Sequence, residues 1–298
     1  MIEEKEIKPK KKVGRPPTKI HSNVKIDGIC KMPINNSSNI VEISIQDVTL
    51  FKTIFTYFKN VKINTIEFEF TEDDLLLKSS DHCNKSELVI VVSGKKLMRY
   101  FVKEKIKKFL SREAIEKIFT CIDKTYNTLQ IEINKDSQDI LLIKYIDTEL
   151  ERACTYSVQI ANIPQEDILY TNINREVKGT LLYFKLSTKK FKSFITNAIN
   201  FTQKMDIIKS PSSPGIQFSY NGRSIISCNE IYDKPDKIEL ISNIGNSLYR
   251  REIQLQIVKP YICSFTNEFV VIFCQKDTFI LSSNLGENDL ATVNVVIK

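Results

Sequence analysis

Chemistry in this chain would have to come from two histidines, seven cysteines and a large stock of lysine. His21 and His82 lie outside any metal-ligand spacing, so neither a His-based triad nor a zinc site can be assembled on them. Cys30, Cys83, Cys121, Cys154, Cys228, Cys263 and Cys274 are dispersed, odd in number and without a C-x-x-C pair, the pattern of reduced core thiols. Gly94-Lys95-Lys96 lacks the rest of a phosphate-binding loop and reads as a turn. Carboxylates are spread at ordinary surface density. The residues point away from an enzyme and call for no cofactor and no metal.

What remains is the chemistry of phosphate neutralisation. The formal charge is +7, and residues 1–20 supply more than half of it, with seven Lys or Arg against three Glu. Residues 1–25 are rich in Pro and Lys, lack apolar periodicity and are expected to be disordered. Within them Gly14-Arg15-Pro16, flanked by Lys11 and Lys12, is similar to the core of an AT-hook, an extended segment able to lie in a narrow A·T minor groove. A nuclear-import-like signal or a plain solubilising tail fits the same residues. In the body, the stretch 189–204 carries Lys189, Lys190, Lys192 and Lys204 with no acidic residue. That is either a solvated helix face or a surface that meets phosphate.

The elements that position these lysines occur twice. Phe51-Lys-Thr-Ile-Phe55 is echoed by Phe191-Lys-Ser-Phe-Ile195, and in both copies an alternating run (Val41–Ile45; Leu181–Leu186) meets a helix of period 3.6. Leu50, Phe51, Ile54, Phe58 and Val61 make one apolar stripe; Phe191, Phe194, Ile195 and Ala198 make the other. After each helix come strands, a second helix (111–124; about 258–266, with Pro260 in its first turn) and further strands. Strands are expected near 63–70, 75–78, 88–92, 97–102, 128–133, 139–146 and 152–160, then near 206–209, 215–220, 223–229, 237–242, 250–256, 269–275, 278–282 and 291–297. The stretch 164–179 breaks the pattern and reads as a connector.

Two such units joined by a connector, with basic helices on one side, resemble the PCNA-like DNA sliding clamps of large DNA viruses, those of the African swine fever virus group most closely. The residues that carry this are Gly14-Arg15-Pro16-Pro17, Leu50-Phe51-Lys52 with Tyr57-Phe58-Lys59-Asn60, Arg112-Glu113 through Glu116-Lys117 with Phe119, Ile122 and Asp123, and Cys154-Thr155-Tyr156. The resemblance implies an α+β, two-domain sliding-clamp fold of repeated β-α-β units, with helices lining a ring and antiparallel sheets outside. The expected organisation is a basic tail (1–25), an N-terminal clamp domain (26–163), an interdomain connecting loop (164–179) and a C-terminal clamp domain (180–298).

The implied function is that of a processivity factor, a head-to-tail homotrimer encircling double-stranded DNA and tethering DNA polymerase, ligase and other replication or repair enzymes through short peptides. A clamp loader is a further implied partner. Lining residues are expected at Lys52, Lys59, Lys62, Lys117, Lys124, Lys189, Lys192, Lys204 and Lys259, with Lys105, Lys107 and Lys108 at the rim and Lys11, Lys12 and Arg15 in the tail. Such contacts address phosphates rather than bases. The strand holding Arg152, Cys154, Tyr156 and Val158 would pair with the one holding Arg223, Ile225 and Cys228 of the next subunit. Ile168, Leu169 and Tyr170, with Phe269, Val295 and Ile297, would receive the partner peptide.

No apolar run approaches the roughly 20 residues of a membrane span, and the Lys-rich N-terminus is followed by no hydrophobic signal region. No membrane role and an intracellular location are expected, at viral replication sites in the host cytoplasm or in the nucleus. The competing reading is a non-catalytic DNA-binding factor for viral transcription or genome organisation, in which the AT-hook-like tail does the binding.

Overall fold

Val41, Ile43 and Ile45 alternate along the first strand, and after Asp47 the buried apolar residues Leu50, Phe51, Ile54 and Phe58 switch the period from two to 3.6, so that packing rather than propensity makes the helix. Asp47 Oδ1 accepts the backbone N–H of Leu50 at 3.0 Å and so caps the helix that follows. The same device of strand into helix recurs in the second half. The computed structural model describes residues 38–60, 64–81, 85–120, 125–160, 180–221, 227–232 and 238–298. The basic tail and the connector 164–179 lie outside them, as do Lys62, Lys124, Arg223 and Ile225.

The first half runs β1 (Asn39–Ile45), α1 (Val48–Asn60), β2 (Thr65–Phe70), β3 (Asp74–Ser80), β4 (Ser86–Ser93), β5 (Arg99–Val102), β6 (Ile106–Ser111), α2 (Arg112–Thr120), β7 (Thr128–Asn134), β8 (Ser137–Asp147) and β9 (Arg152–Gln159). The second half follows the same order. It runs β10 (Leu182–Ser187), α3 (Thr188–Ala198), β11 (Lys204–Lys209), β12 (Ile216–Asn221), β13 (Ser227–Tyr232), β14 (Ile238–Ser242), β15 (Tyr249–Gln254), α4 (Leu255–Ser264), β16 (Phe269–Cys274), β17 (Phe279–Leu285) and β18 (Ala291–Ile297).

The strands form three antiparallel sheets, ordered β5-β1-β7-β8-β9, β14-β10-β16-β17-β18-β4-β3-β2-β6, and β13-β12-β11-β15. The nine-stranded sheet is two pieces. Its part β14-β10-β16-β17-β18 repeats the order of the five-stranded sheet, and its part β4-β3-β2-β6 repeats that of the four-stranded sheet. The two halves are stitched where β18 pairs with β4, from Ala291 opposite Val92 to Ile297 opposite Ser86.

The four helices pack as α2 on α1, α1 on α4 and α4 on α3, and they rest on the sheets. One continuous apolar core runs through both halves. Phe119 of α2 stacks against Phe51 at 5.5 Å and Phe55 at 4.4 Å between ring centroids, and Tyr57 of α1 meets Phe265 beyond α4 at 5.8 Å. Aromatic pairs of this kind add about 0.5–1.5 kcal/mol each beyond the area they bury.

Three element boundaries differ from expectation. Residues 106–111 form an edge strand, because Lys107 and Phe109 stand opposite Glu69 and Glu67 of β2. Helix α3, expected to run to 203, ends at Ala198, so Lys204 belongs to β11. Helix α4 begins at Leu255, which puts Pro260 in its interior, where the missing N–H withholds one helical bond.

Candidate nucleic-acid interface

The solvent side of the helix layer carries the charge. Buried positions of α3 (Phe191, Phe194, Ile195, Ala198) fix its orientation and leave Lys189, Lys190, Ser193, Thr196 and Asn197 exposed. On α1 the exposed residues are Thr49, Lys52, Thr56 and Lys59, and on α4 Lys259 is half-exposed. Lys52, Lys189, Lys190 and Lys259 make no ion pair among the described residues, so these cations are available to an anion. Lys190, named in the acid-free stretch 189–204 but not among the expected lining residues, lies seven residues before Asn197 and so shares its exposed face.

Other expected contacts are already engaged. Lys117 pairs with Glu113 at 2.7 Å and Lys59 with Glu116 at 2.9 Å. The hydrogen bond from Lys117 draws the Glu113 carboxyl below its ordinary range. Arg112 also reaches Glu116, at 2.8 Å. Helix α2 thus keeps its positive charge for its own acids. Lys192 is half-buried and donates to the Cys263 carbonyl at 3.0 Å, tying α3 to the C-terminal turn of α4. Lys204 pairs with Glu252 of β15 at 2.7 Å.

The expected rim lysines divide by strand alternation. Lys105 and Lys107 lie on the outer face with Glu69 and Glu67, at 2.5 Å and 3.6 Å, and serve as counter-ions to two buried carboxylates. Lys108, opposite Phe68, shares the helix side of the sheet and is half-exposed. Lys105 and Lys107 are thus already paired with acids of their own sheet, unlike Lys52 and Lys189.

The outer faces of the two halves are unlike in chemistry. On the five-stranded sheet Glu42 and Glu132 stand opposite each other, held by Arg99 at 2.9 Å and Lys144 at 2.7 Å. The corresponding places of the second half are Tyr183 and Phe273, which form an apolar cluster with Val271, Ile280 and Val296. Ile241 at its edge is 40% exposed and Phe269 41%, with the Lys185 ammonium 4.9 Å from the Phe269 ring.

Of the expected partner-binding residues that are among the described ones, Phe269 alone is exposed at this surface. Val295 and Ile297 are buried, because they face Leu281 and Phe279 on the helix side of the sheet. The outward position of β18 is Val296, one residue away. Ile168, Leu169 and Tyr170 fall outside the described residues.

Of the expected interface residues, Val158 is buried, Cys154 and Tyr156 are half-buried against the core, and Arg152 is exposed and reaches Asp147 at 3.3 Å. All four lie on β9, which among the described residues pairs on one side only, with β8. Cys228 lies on β13, which among the described residues pairs only with β12. Cys154, Cys263 and Cys274 are free thiols, and burial pushes the Cys274 thiol up to about 12. Among the described residues no group of three or more His, Cys, Asp or Glu could hold a metal ion, and no helix is long and apolar enough to cross a membrane.

These features define a mixed α+β protein of two like halves, antiparallel sheets backing one layer of four helices. No family model matches the chain. It is similar to uncharacterized proteins of African swine fever virus. Those of a Namibian warthog isolate and of the Vero-adapted Badajoz strain are each 24% identical over 290 residues, 95% of this chain and 96% of theirs. That of a Kenyan pig isolate is 23% identical, covering 95% of both chains.

Proposed function

We propose that this protein is a DNA sliding clamp, a homotrimeric ring that encircles duplex DNA and tethers DNA polymerase, ligase and other replication or repair enzymes. One observation carries the reading. Inside the chain, β18 of the second half is paired to β4 of the first. Among the described residues the strands in the same places of the opposite halves, β9 and β13, end their sheets. Unpaired edges invite another chain, and the internal junction gives the pattern a second copy would follow. Repeating one heterologous contact closes a ring when the rotation permits.

In that ring the helix layer lines the hole, and Lys52, Lys189, Lys190 and Lys259 meet phosphates without reading sequence. The apolar outer surface of the second half, from Ile241 to Phe269, receives short peptides of the tethered enzymes. The equivalent surface of the first half, closed by paired charges, gives one such site per copy. A loader that opens the ring is a further partner, and viral replication sites in the host cytoplasm are the place of action.

The test is topological. The protein should have a mass near three times 34.4 kDa by light scattering, and once assembled on nicked circular DNA it should stay through a high-salt wash, leaving when the circle is cut. Equal loss from circular and linear DNA would instead favour the tail-driven DNA-binding factor.

A further inference from the structure

Strands β11 and β12 are joined by Ser210-Pro211-Ser212-Ser213-Pro214-Gly215, in which a serine twice precedes a proline. Pro211 fixes its own φ and brings no backbone N–H to the turn. The Ser213 N–H closes it on the Ser210 carbonyl at 3.2 Å. Ser212 and both prolines are exposed, and Ser210 and Ser213 are half-exposed. The Ser210 and Ser212 hydroxyls meet at 2.9 Å, while Ser213 Oγ accepts the Gly215 N–H at 3.3 Å.

Lys209 lies under this turn. Strand alternation puts it on the same side of β11 as Met205 and Ile207, and it is 6% exposed. Its ammonium donates to the Ser210 carbonyl at 2.7 Å and also to the Ser213 carbonyl, which engages two of its three N–H groups. Buried cations are ordinarily matched by an acid, yet among the described residues Lys209 makes no ion pair. The sequence supplies the reason. Residues 207–229 and 240–251, which hold the turn and the strand opposite Lys209, contain no Asp or Glu. Asp206, the nearest acid along the chain, is engaged by Arg250 at 2.7 Å. A buried ammonium thus faces serine residues where a carboxylate is the usual partner.

We propose that Ser210 is a phosphorylation site for a proline-directed serine/threonine kinase, with Lys209 the ammonium that holds the added phosphate. The γ-phosphoryl group of ATP passes to Ser210 Oγ: the bond from phosphorus to the ADP oxygen breaks, the bond to Oγ forms, the hydroxyl proton goes to the base of the kinase, and ADP leaves. The product carries about two negative charges near neutral pH and three strong acceptor oxygens. The Ser212 hydroxyl, already beside Ser210 Oγ, and the ammonium of Lys209 are the donors at hand. Of the two Ser-Pro pairs Ser210 is the better placed, because Ser213 Oγ is already bonded to the Gly215 N–H. The site is independent of the ring reading.

The test incubates the full-length chain with ATP and a purified mitogen-activated protein kinase, and reads the product by intact mass, peptide mapping and phosphorus NMR. One phosphoryl group should be found on Ser210, kept in Ser213→Ala and lost in Ser210→Ala. On the wild-type product the second ionisation of the phosphate should lie below its ordinary value of about 6, because a neighbouring ammonium favours the dianion. Lys209→Arg, which keeps the charge, should leave it lowered, and Lys209→Gln should return it to about 6. No phosphate on Ser210, or transfer to Ser213 alone, overturns the site. An ionisation at or above about 6 in the wild type, which needs no variant to fold, overturns the role of Lys209.

Discussion

Glu67 and Glu69 sit on one face of β2, both buried, and titrate in opposite directions. Burial is the largest influence on each. For Glu67 it prevails: Lys107 stays at 3.6 Å, Glu67 Oε1 makes no hydrogen bond, and the carboxyl is pushed above its ordinary range. Hydrogen bonds from Lys105 and Lys78 outweigh burial at Glu69 and hold it below that range. A raised carboxyl contributes stability that is complete below the unfolded value and lost as pH rises through the folded one; a lowered one contributes stability that is lost as pH falls through its folded value. Thermal unfolding between about pH 4 and 7 should therefore show Glu67→Gln gaining on the wild type as pH rises. Glu69→Gln should fall behind by about 1–3 kcal/mol, the cost of leaving a buried donor without its acceptor. Parallel curves for the two variants would refute the assignment. At this scale the sequence exposes charge but not its partner. Lys105, Lys107 and Lys204 have the composition of phosphate contacts, and only tertiary pairing with Glu69, Glu67 and Glu252 assigns them to the fold.

Elements were more legible than pairs. The apolar stripes of α1 and α3 were written in period 3.6, and the alternation of Val41–Ile45 and Leu182–Leu186 marked the strands before them, because burial on one side leaves a periodic trace. Strand β6 left none: Lys105, Lys107 and Lys108 interrupt the alternation, and the acids that neutralise them lie on β2. In β18 nearly every residue is buried, so hydrophobicity could not say which parity faced outward. The helix layer yields two predictions. Phe119 is 2% exposed and bridges α2 to α1 through Phe51 and Phe55. Phe119→Ala should cost about 3–5 kcal/mol in denaturant unfolding, and a loss under about 1 kcal/mol would mean the helices are not joined there. Lys189→Gln with Lys190→Gln should leave stability unchanged while lowering the slope of log affinity against log salt by about 2, since each phosphate no longer neutralised removes about 0.9. Lys105→Gln with Lys107→Gln should leave that slope where it is. Reversed effects would move the DNA surface from the helices to the sheet edge.

At the scale of the whole molecule, the internal junction and the sheet edges differ in what dilution does to them. β18 is joined to β4 within one chain, from Ala291 opposite Val92 to Ile297 opposite Ser86, and that pairing does not depend on concentration. Among the described residues β9 and β13 each pair on one side only, with β8 and β12. In the proposed ring a contact made there forms between chains, so it weakens as the protein is diluted. The mass by light scattering should therefore fall on dilution toward 34.4 kDa, while thermal unfolding at the lowest concentration still shows a cooperative transition of the folded single chain. A mass that stays at the single-chain value at every concentration would leave both edges without a second copy, and the ring reading would fall with them.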